Sequence, residues 1–174
     1  MLYFNFKEKE YLLPDCWEDI LVEDFIKILK LEKQKSLYQY DELYAAKLVE
    51  ILLKIEEDEF NQFELGLFEA LCDKLLFLQT TPTYENKSEI VLDGVKYVTP
   101  ENFNKLSFGE YASIKTLTKD KDFDEQILTI LSIILRPEGE KFEASLIPQR
   151  KEMFKKLRLI DVNEAINFFL SGNN

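Results

Sequence analysis

The sequence predicts an α+β protein, mostly helical, in which a ββααα unit occurs twice in a pseudo-twofold arrangement. Three observations favour this fold. Two short paired strands precede each run of helices, apolar residues in the helices recur every three or four positions, and residues 11–29 and 97–114 repeat one pattern. With 46% hydrophobic and 13% aromatic residues, the chain can bury a core.

The first unit is predicted over residues 1–79. LYFNF at its start alternates as a strand does, and YLL follows a charged turn, so the two runs predict a β-hairpin. Pro14 closes the second strand, and Asp15 with Glu18 predicts a capping box. Apolar stripes predict helices at about 22–32, 41–55 and 64–79.

A polar linker, 80–88, leads to the second unit at 89–174. Asp93 and Gly94 predict a tight hairpin turn, and Pro100 repeats the stop at the end of the second strand. Helices are predicted at about 107–118, 122–135 and 161–170, with an extra basic helix at 146–157. We expect the two units to pack as one globular domain.

The internal repeat has an offset of 86 residues over the first part of each unit, the separation of Pro14 from Pro100. Nearer the ends the offset is 94, which aligns Cys72 with Ile166. We expect Trp17 and Phe103 to fill equivalent positions between hairpin and helices. The pairs aligned at 86 include Tyr11 and Tyr97, Trp17 and Phe103, Ile20 and Leu106, Val22 and Phe108, Asp24 and Glu110, Phe25 and Tyr111, and Ile28 and Ile114.

Composition excludes most catalytic arrangements. The chain has no histidine, two cysteines and five glycines, so it has no Ser–His or Cys–His pair and little material for a phosphate-binding glycine loop. Cys16 and Cys72 are predicted to be small buried hydrophobes. Residues 56–59 are predicted as a solvated acidic turn, and 120–125 as a loop and helix N-cap that lacks the glycine of a calcium loop. We predict no catalytic, cofactor or metal site.

The net charge of −11 predicts repulsion from nucleic acid phosphates and from anionic membrane surfaces, so we expect neither as a partner. No apolar run approaches the ~20 residues of a membrane span. The longest, ILTILSIIL at 127–135, predicts a buried helix or strand. The start of the chain lacks the pattern of a signal peptide, so we expect a cytoplasmic location.

One segment is basic, and its candidate partner-binding residues are Arg150, Lys151, Lys155, Lys156 and Arg158. It is predicted either to dock an acidic partner or another copy of this chain, or to be a solvated helix face. In the second case Met153, Phe154 and Leu157 point inward.

Four stretches carry a resemblance to a known group of proteins: LPDCWEDILVEDFIKILKLE, IVLDGVKYVTPENFNKLSFGEYASI, ILSIILRPEGEKF and VNEAINFFLSG. Together they resemble small proteins encoded among the structural genes of tailed bacteriophages of Bacteroidota, which include tail-assembly chaperones and virion structural proteins. The resemblance covers nearly the whole chain at the level of pattern. It implies a non-enzymatic role in virion structure or assembly, in the host cytoplasm or the virion. The implied partners are tail, capsid or tape-measure proteins, and a homo-oligomer is left open.

Two other classes stay open. The acidic composition suits an inhibitor that mimics DNA, which would need its 33 carboxylates to line one face. The abundance of carboxylates also leaves room for a metal-dependent enzyme that works through them.

Overall fold

The computed structural model describes residues 1–82, 89–101 and 103–172, and the side chains of these except 103 and 168–172. Within that part, the chain forms eight α-helices and two small antiparallel sheets, so the predicted α+β class is confirmed. It divides into two compact units, Met1–Thr83 and Tyr84–Asn174. The packing of these units as one domain stays a prediction.

The first unit opens with the predicted hairpin, β1 (Leu2–Phe6) and β2 (Lys9–Leu13). Phe6 lies opposite Lys9, so Lys7 and Glu8 alone make the turn. Both have positive φ, +47° and +65°, as a type I′ turn requires. Side chains other than those of Gly, Asn and Asp seldom adopt this conformation, so the turn carries backbone strain.

A central helix organises the rest of the first unit. The helices are α1 (Val22–Lys33), α2 (Asp41–Leu53), α3 (Glu57–Phe60) and α4 (Leu65–Lys74). Helix α2 packs against α1, β2 and α4. Val49 and Leu52 are buried on it, together with Leu71 of α4 and Leu13 of β2.

One prediction near these helices is wrong and one is confirmed. Asp15 does not cap a helix, because α1 begins at Val22 as predicted, after Ile20, which is fully buried in extended backbone. Asp15 instead accepts a hydrogen bond of 2.6 Å from the amino group of Met1. The acidic segment 56–59 is a solvated turn as predicted, with Glu56, Glu57 and Asp58 exposed, and most of it forms the one-turn helix α3, whose N-terminal end favours negative side chains.

The second unit opens with β3 (Glu89–Leu92) and β4 (Val95–Val98), joined as predicted by Asp93 and Gly94 at φ +51° and +76°. A third strand, β5 (Arg136–Pro137), pairs antiparallel with β4. The sequence predicted only the end of a helix at about 135 here, and no strand. Proline has no N–H to donate, and its place on this outer strand is one that an edge tolerates.

Helix α6 is the centre of the second unit. The helices are α5 (Phe108–Thr118), α6 (Phe123–Ile134), α7 (Ile147–Phe154) and α8 (Leu159–Gly172). Helix α6 packs against α5, α7 and α8, and every residue from 129 to 135 is buried. The predicted buried run 127–135 is therefore a core helix. A true capping box occurs at α5, where Ser107 Oγ accepts from the N–H of Glu110 (3.3 Å) and Glu110 Oε2 accepts from the N–H of Ser107 (2.7 Å).

None of the helices in the described part of the chain combines the length and the apolar character that crossing a bilayer needs.

The two hairpin turns make a matched pair for mutagenesis. Glu8→Gly should raise the free energy of unfolding by roughly 1 kcal/mol, because glycine adopts positive φ without strain. Gly94→Ala should lower it by roughly the same amount, because alanine is strained at positive φ. A Cβ there meets no atom within 4 Å, so no steric clash adds to this cost. Urea denaturation followed by circular dichroism measures both. A loss of stability in Glu8→Gly would contradict the strained turn.

Candidate functional site

An apolar groove of about 530 Å³ lies in the first unit, between α1, α2 and the segment that runs from α4 to Gln79. We call it the α2 groove. Each wall uses residues three or four positions apart, which lie on one face of a helix. The apolar lining comprises Phe25, Ile28 and Leu29 from α1, Ala45 and Leu48 from α2, and Leu75, Leu76 and Leu78 from the third wall.

Trp17 is part of the groove lining. Its ring meets Phe77 edge-on at 5.5 Å, and its Nε1–H donates to the carbonyl of Thr80 at 3.1 Å. We had expected Trp17 between the hairpin and the helices, but it lines this groove. The side chain of Phe103, its expected counterpart, lies outside the described part. Trp17 is the one tryptophan of the chain, so its fluorescence reports on the groove.

Tyr44 supplies an ordered polar group in the lining. Its hydroxyl donates to Glu32 Oε1, and the Lys35 Nζ lies 4.9 Å from the centre of its ring. Burial, and then the hydrogen bond to Glu32, raise the pKa of Tyr44, so the hydroxyl stays protonated and keeps donating. Asp41 is a second carboxylate in the lining.

The surroundings of the groove are negative. Burial raises the pKa of the Cys72 thiol, and the nearby charges of Asp73 and Glu69 raise it further. The whole first unit carries 18 acidic and nine basic residues, against 15 and 13 in the second. A positively charged molecule is therefore attracted to the mouth of the groove.

Exposed apolar side chains lie at the groove and beside it. Leu76 is a lining residue and is 55% exposed. Leu37 and Tyr40 are 80% and 59% exposed, and they lie within two positions of the lining residues Lys35 and Asp41. Apolar surface of this kind is a common mark of protein-binding sites.

A small apolar site in the second unit is closed. It is lined by Phe123, Ile127 and Ile130 of α6 and by Ile166 of α8, and it leaves no space for a water molecule. Ile127 is the fifth residue of α6, and Ala45 is the fifth residue of α2. The predicted repeat aligns Ile166 with Cys72. The open groove is therefore lined by smaller side chains at Ala45 and Cys72. The sequence did not predict the groove, because the pairing of Ala45 with Ile127 depends on where α2 and α6 begin in the structure.

Each unit also contains a buried acid–base pair. Asp24 is 2% exposed and lies 3.6 Å from Lys54, while Glu110 is 1% exposed and lies 2.8 Å from Arg136. Burial raises the pKa of Asp24, and the charge of Lys54 opposes that shift. Each pair connects the first turn of a long helix, α1 or α5, to the residues that follow the next long helix, α2 or α6. We therefore assign these carboxylates a structural role.

One cluster among the described residues brings three possible metal ligands within 4.8 Å, at Asp15, Cys16 and Asp19. The amino group of Met1 donates to both carboxylates, so a cation already lies there. The oxygen-rich segment 120–125 is a loop and helix start as predicted, with Asp122 at the N-cap position of α6.

The predicted basic residues lie on α7 and in the turn after it, but they differ in exposure. Arg150 is 5% exposed and is bonded to Glu140. Lys151 is half-buried, and burial, followed by the charge of Lys121, lowers its pKa.

Lys155 pairs with Glu152 at 2.7 Å, and the exposed Arg158 holds Asp161 through two hydrogen bonds. Lys156 is exposed. Of the three residues predicted to point inward, Phe154 and Leu157 are buried and Met153 is half-buried. Partner binding by the five basic residues stays a prediction.

No protein-family model, curated protein or solved structure matches the chain. The functional case therefore depends on the geometry of the α2 groove and on the sequence pattern.

Cys16 and Cys72 are half-buried, not fully buried as predicted. Their thiols give a pH-dependent test of their environments. Burial, helped by hydrogen bonding to neighbouring carboxylates, raises the pKa of Cys16 to about 11. The Cys72→Ser variant, which keeps Cys16, should therefore alkylate with iodoacetamide at a rate that still rises tenfold per pH unit at about pH 10. The alkylation rate of a free thiol levels off near its pKa of about 8.5, because the thiolate is the nucleophile.

In the Cys16→Ser variant, which keeps Cys72, the alkylation rate should level off at a pH above about 8.5, because the pKa of Cys72 is also raised. Both variants unfolded in urea serve as controls and should behave as free thiols. A plateau below about pH 9 in a folded variant would contradict the raised pKa of that half-buried cysteine.

Proposed function

We propose that this protein is a non-enzymatic structural or assembly protein of a tailed phage, similar to a tail-assembly chaperone, and that it works by protein–protein interaction. The observation that carries the proposal is the α2 groove, an apolar surface open to solvent beside exposed leucines and a tyrosine. The resemblance to phage structural proteins supplies the setting, in the host cytoplasm or the virion, with tail, capsid or tape-measure proteins as partners.

The composition of the groove suits a protein partner. Protein interfaces combine an apolar centre with a polar rim, and a few well-packed residues supply most of the affinity. Here Leu48 and Leu75 form part of the floor, while Glu32, Lys35 and Asp41 supply polar groups. Covering such a surface releases about 25 cal/mol for each Å² of apolar area.

The Leu76→Glu variant tests this function. Its carboxylate would have to be desolvated when a partner enters, which should weaken binding by at least about tenfold. Because Leu76 is 55% exposed, the fold should persist. The matched control is Leu65→Glu, at a residue of α4 that is 70% exposed and does not line the groove.

The measurement is quantitative crosslinking mass spectrometry in phage-infected host cells. We expect crosslinks from the first unit to a phage structural protein, retained by Leu65→Glu and lost by Leu76→Glu. Equal crosslinking by both variants would overturn a role for the groove.

A second candidate is an acidic inhibitor that mimics DNA, favoured by the excess of acidic residues in the first unit, 18 against nine. Ion pairs weigh against it. Lys47 pairs with Glu50 at 2.8 Å and with Glu57 at 2.7 Å, and Lys54 pairs with Glu23 at 2.7 Å. Binding to a DNA-binding enzyme that duplex DNA displaces, and that Leu76→Glu leaves unchanged, would favour this candidate.

We also propose that the two units descend from one duplicated unit, arranged with pseudo-twofold symmetry. The order of elements supports it: a hairpin, a short 3-10 helix and four α-helices occur in each. The offset of 86 residues relates the turn residues Glu8 and Gly94, the start of each 3-10 helix, and the first residues of α1 and α5. Each unit has four helices where the repeat predicted three.

Side-chain contacts support the same proposal. Tyr11 meets Phe63 edge-on at 5.6 Å, and Tyr97 meets Phe154 edge-on at 5.5 Å, although the offset of 94 aligns Phe154 with Phe60 and not with Phe63. The buried acids Asp24 and Glu110 are aligned, and each has its basic partner just after the next long helix. The alignment also has departures, since Val22 is fully buried but its counterpart Phe108 is 84% exposed.

If the acid–base pairs are equivalent, the glutamate and arginine of the second unit's pair should stabilise the first unit when they replace Asp24 and Lys54. We expect the double variant Asp24→Glu/Lys54→Arg to keep its free energy of unfolding within about 1 kcal/mol of the original. Asp24→Ala should cost more than the double variant. Thermal and urea denaturation provide the measurement, and a double variant as unstable as Asp24→Ala would contradict equivalence.

Glu110→Ala, in the second unit, gives a stability loss with which that of Asp24→Ala can be compared. It should cost about 3–5 kcal/mol, because it leaves the Arg136 side chain, 20% exposed, without its carboxylate and also breaks the capping box. Asp24→Ala should cost less than Glu110→Ala, since Lys54 is 47% exposed and keeps Glu23.

A further inference from the structure

We infer that the α2 groove binds a basic amphipathic helix: a segment with leucine-like residues on one face and lysine or arginine along its flanks. This inference rests on the proposed protein-binding function and specifies the chemistry of the partner. Four features of the groove lead to it: the backbone of its walls, the spacing of its apolar residues, its charge and its small side chains.

The walls favour a helical occupant. They are formed by α1, α2 and α4 with the 3-10 segment Leu75–Gln79, and helices satisfy their backbone hydrogen bonds internally. The groove therefore presents no strand edge to which an extended peptide could add. A segment that enters an apolar groove must satisfy its own N–H and C=O groups, which a helix does.

The spacing of the apolar lining agrees with this. Phe25, Ile28 and Leu29 form a stripe along α1, and Ala45 with Leu48 continues the lining on α2. Stripes of this spacing receive the apolar face of another helix, whose own residues recur every three or four positions.

The charges favour a basic helix. Glu32 and Asp41 line the groove, and the cation in the lining, Lys35, lies over the ring of Tyr44. Glu69 and Asp73 lie close enough to Cys72 to act on its thiol. At physiological ionic strength charges act over about 8 Å, so these carboxylates reach cations on the flanks of a bound helix.

The small side chains explain why the site belongs to the first unit. Ala45 and Cys72 line the groove, whereas Ile127 and Ile166, their counterparts under the proposed duplication, line a closed site in the second unit. Ala45→Ile therefore gives α2 the larger side chain that fills the corresponding place in α6. This variant should close the groove without adding or removing charge.

The test uses the full chain and three synthetic peptides of about 18 residues, roughly five helical turns. The first has a leucine face flanked by lysines. The second replaces each lysine by glutamate. The third has the composition of the first in a scrambled order that forms no apolar face. Fluorescence of Trp17 and anisotropy of dye-labelled peptides measure binding.

We expect the basic amphipathic peptide to bind at least about tenfold more tightly than either of the others, a difference of about 1.4 kcal/mol. Trp17 emission should shift to shorter wavelength as the groove loses water, and added salt should weaken the complex. Ala45→Ile and Leu76→Glu should each reduce the affinity by at least about tenfold, and Leu65→Glu should not. If Ala45→Ile fails to fold, Leu76→Glu still tests whether binding depends on the groove.

Other results overturn the inference, each in a recognisable way. Equal binding of the scrambled peptide would mean attraction to the net charge alone. Tighter binding of the acidic peptide would reverse the assigned chemistry but leave a protein-binding groove. If none of the three peptides binds but the groove-dependent crosslinks in cells persist, the helical partner is wrong and the proposed function stands. If peptide binding and these crosslinks are both absent, the proposed function is wrong as well.

Discussion

Each unit depends on the burial of one apolar helix, α2 in the first and α6 in the second. The neighbouring helices contact this central helix, and in the first unit the hairpin does too, through β2. Because most of the other elements of a unit pack on this helix, its position determines where they lie. The buried pairs Asp24–Lys54 and Glu110–Arg136 then link the start of the preceding helix to the residues after the central helix. A carboxylate buried in this way is stable only while its cation stays in place, so the pairs also restrict how the helices can shift.

The α2 groove follows from this architecture. In the second unit, an apolar site lined by Phe123, Ile127, Ile130 and Ile166 is closed. In the first unit, a groove of about 530 Å³ is open, and its lining includes the small side chains of Ala45 and Cys72. Leaving apolar surface exposed costs free energy, which a bound partner would recover.

Local sequence signals predicted much of the fold. Asp93–Gly94 indicated a tight hairpin turn, and the spacing of apolar residues located most of the helices to within a few positions. The failures involve tertiary contacts. The capping box predicted at Asp15 does not form, because Ile20 is drawn into the core in extended backbone, and β5 forms because the chain after α6 passes beside β4. The groove likewise depends on three helices meeting around two small residues, and no single stretch of sequence contains that information.

The unequal distribution of charge connects the groove with the proposed duplication. Two copies of one unit begin with the same core and the same surface, yet here one carries twice as many acidic as basic residues and the other is nearly balanced. The open groove lies in the acidic unit, and the closed counterpart lies in the balanced one. Apolar surface alone would favour binding to any hydrophobic segment, including another copy of the chain. Surrounding carboxylates disfavour an acidic copy and attract a basic partner, so charge supplies the selectivity that the apolar walls lack.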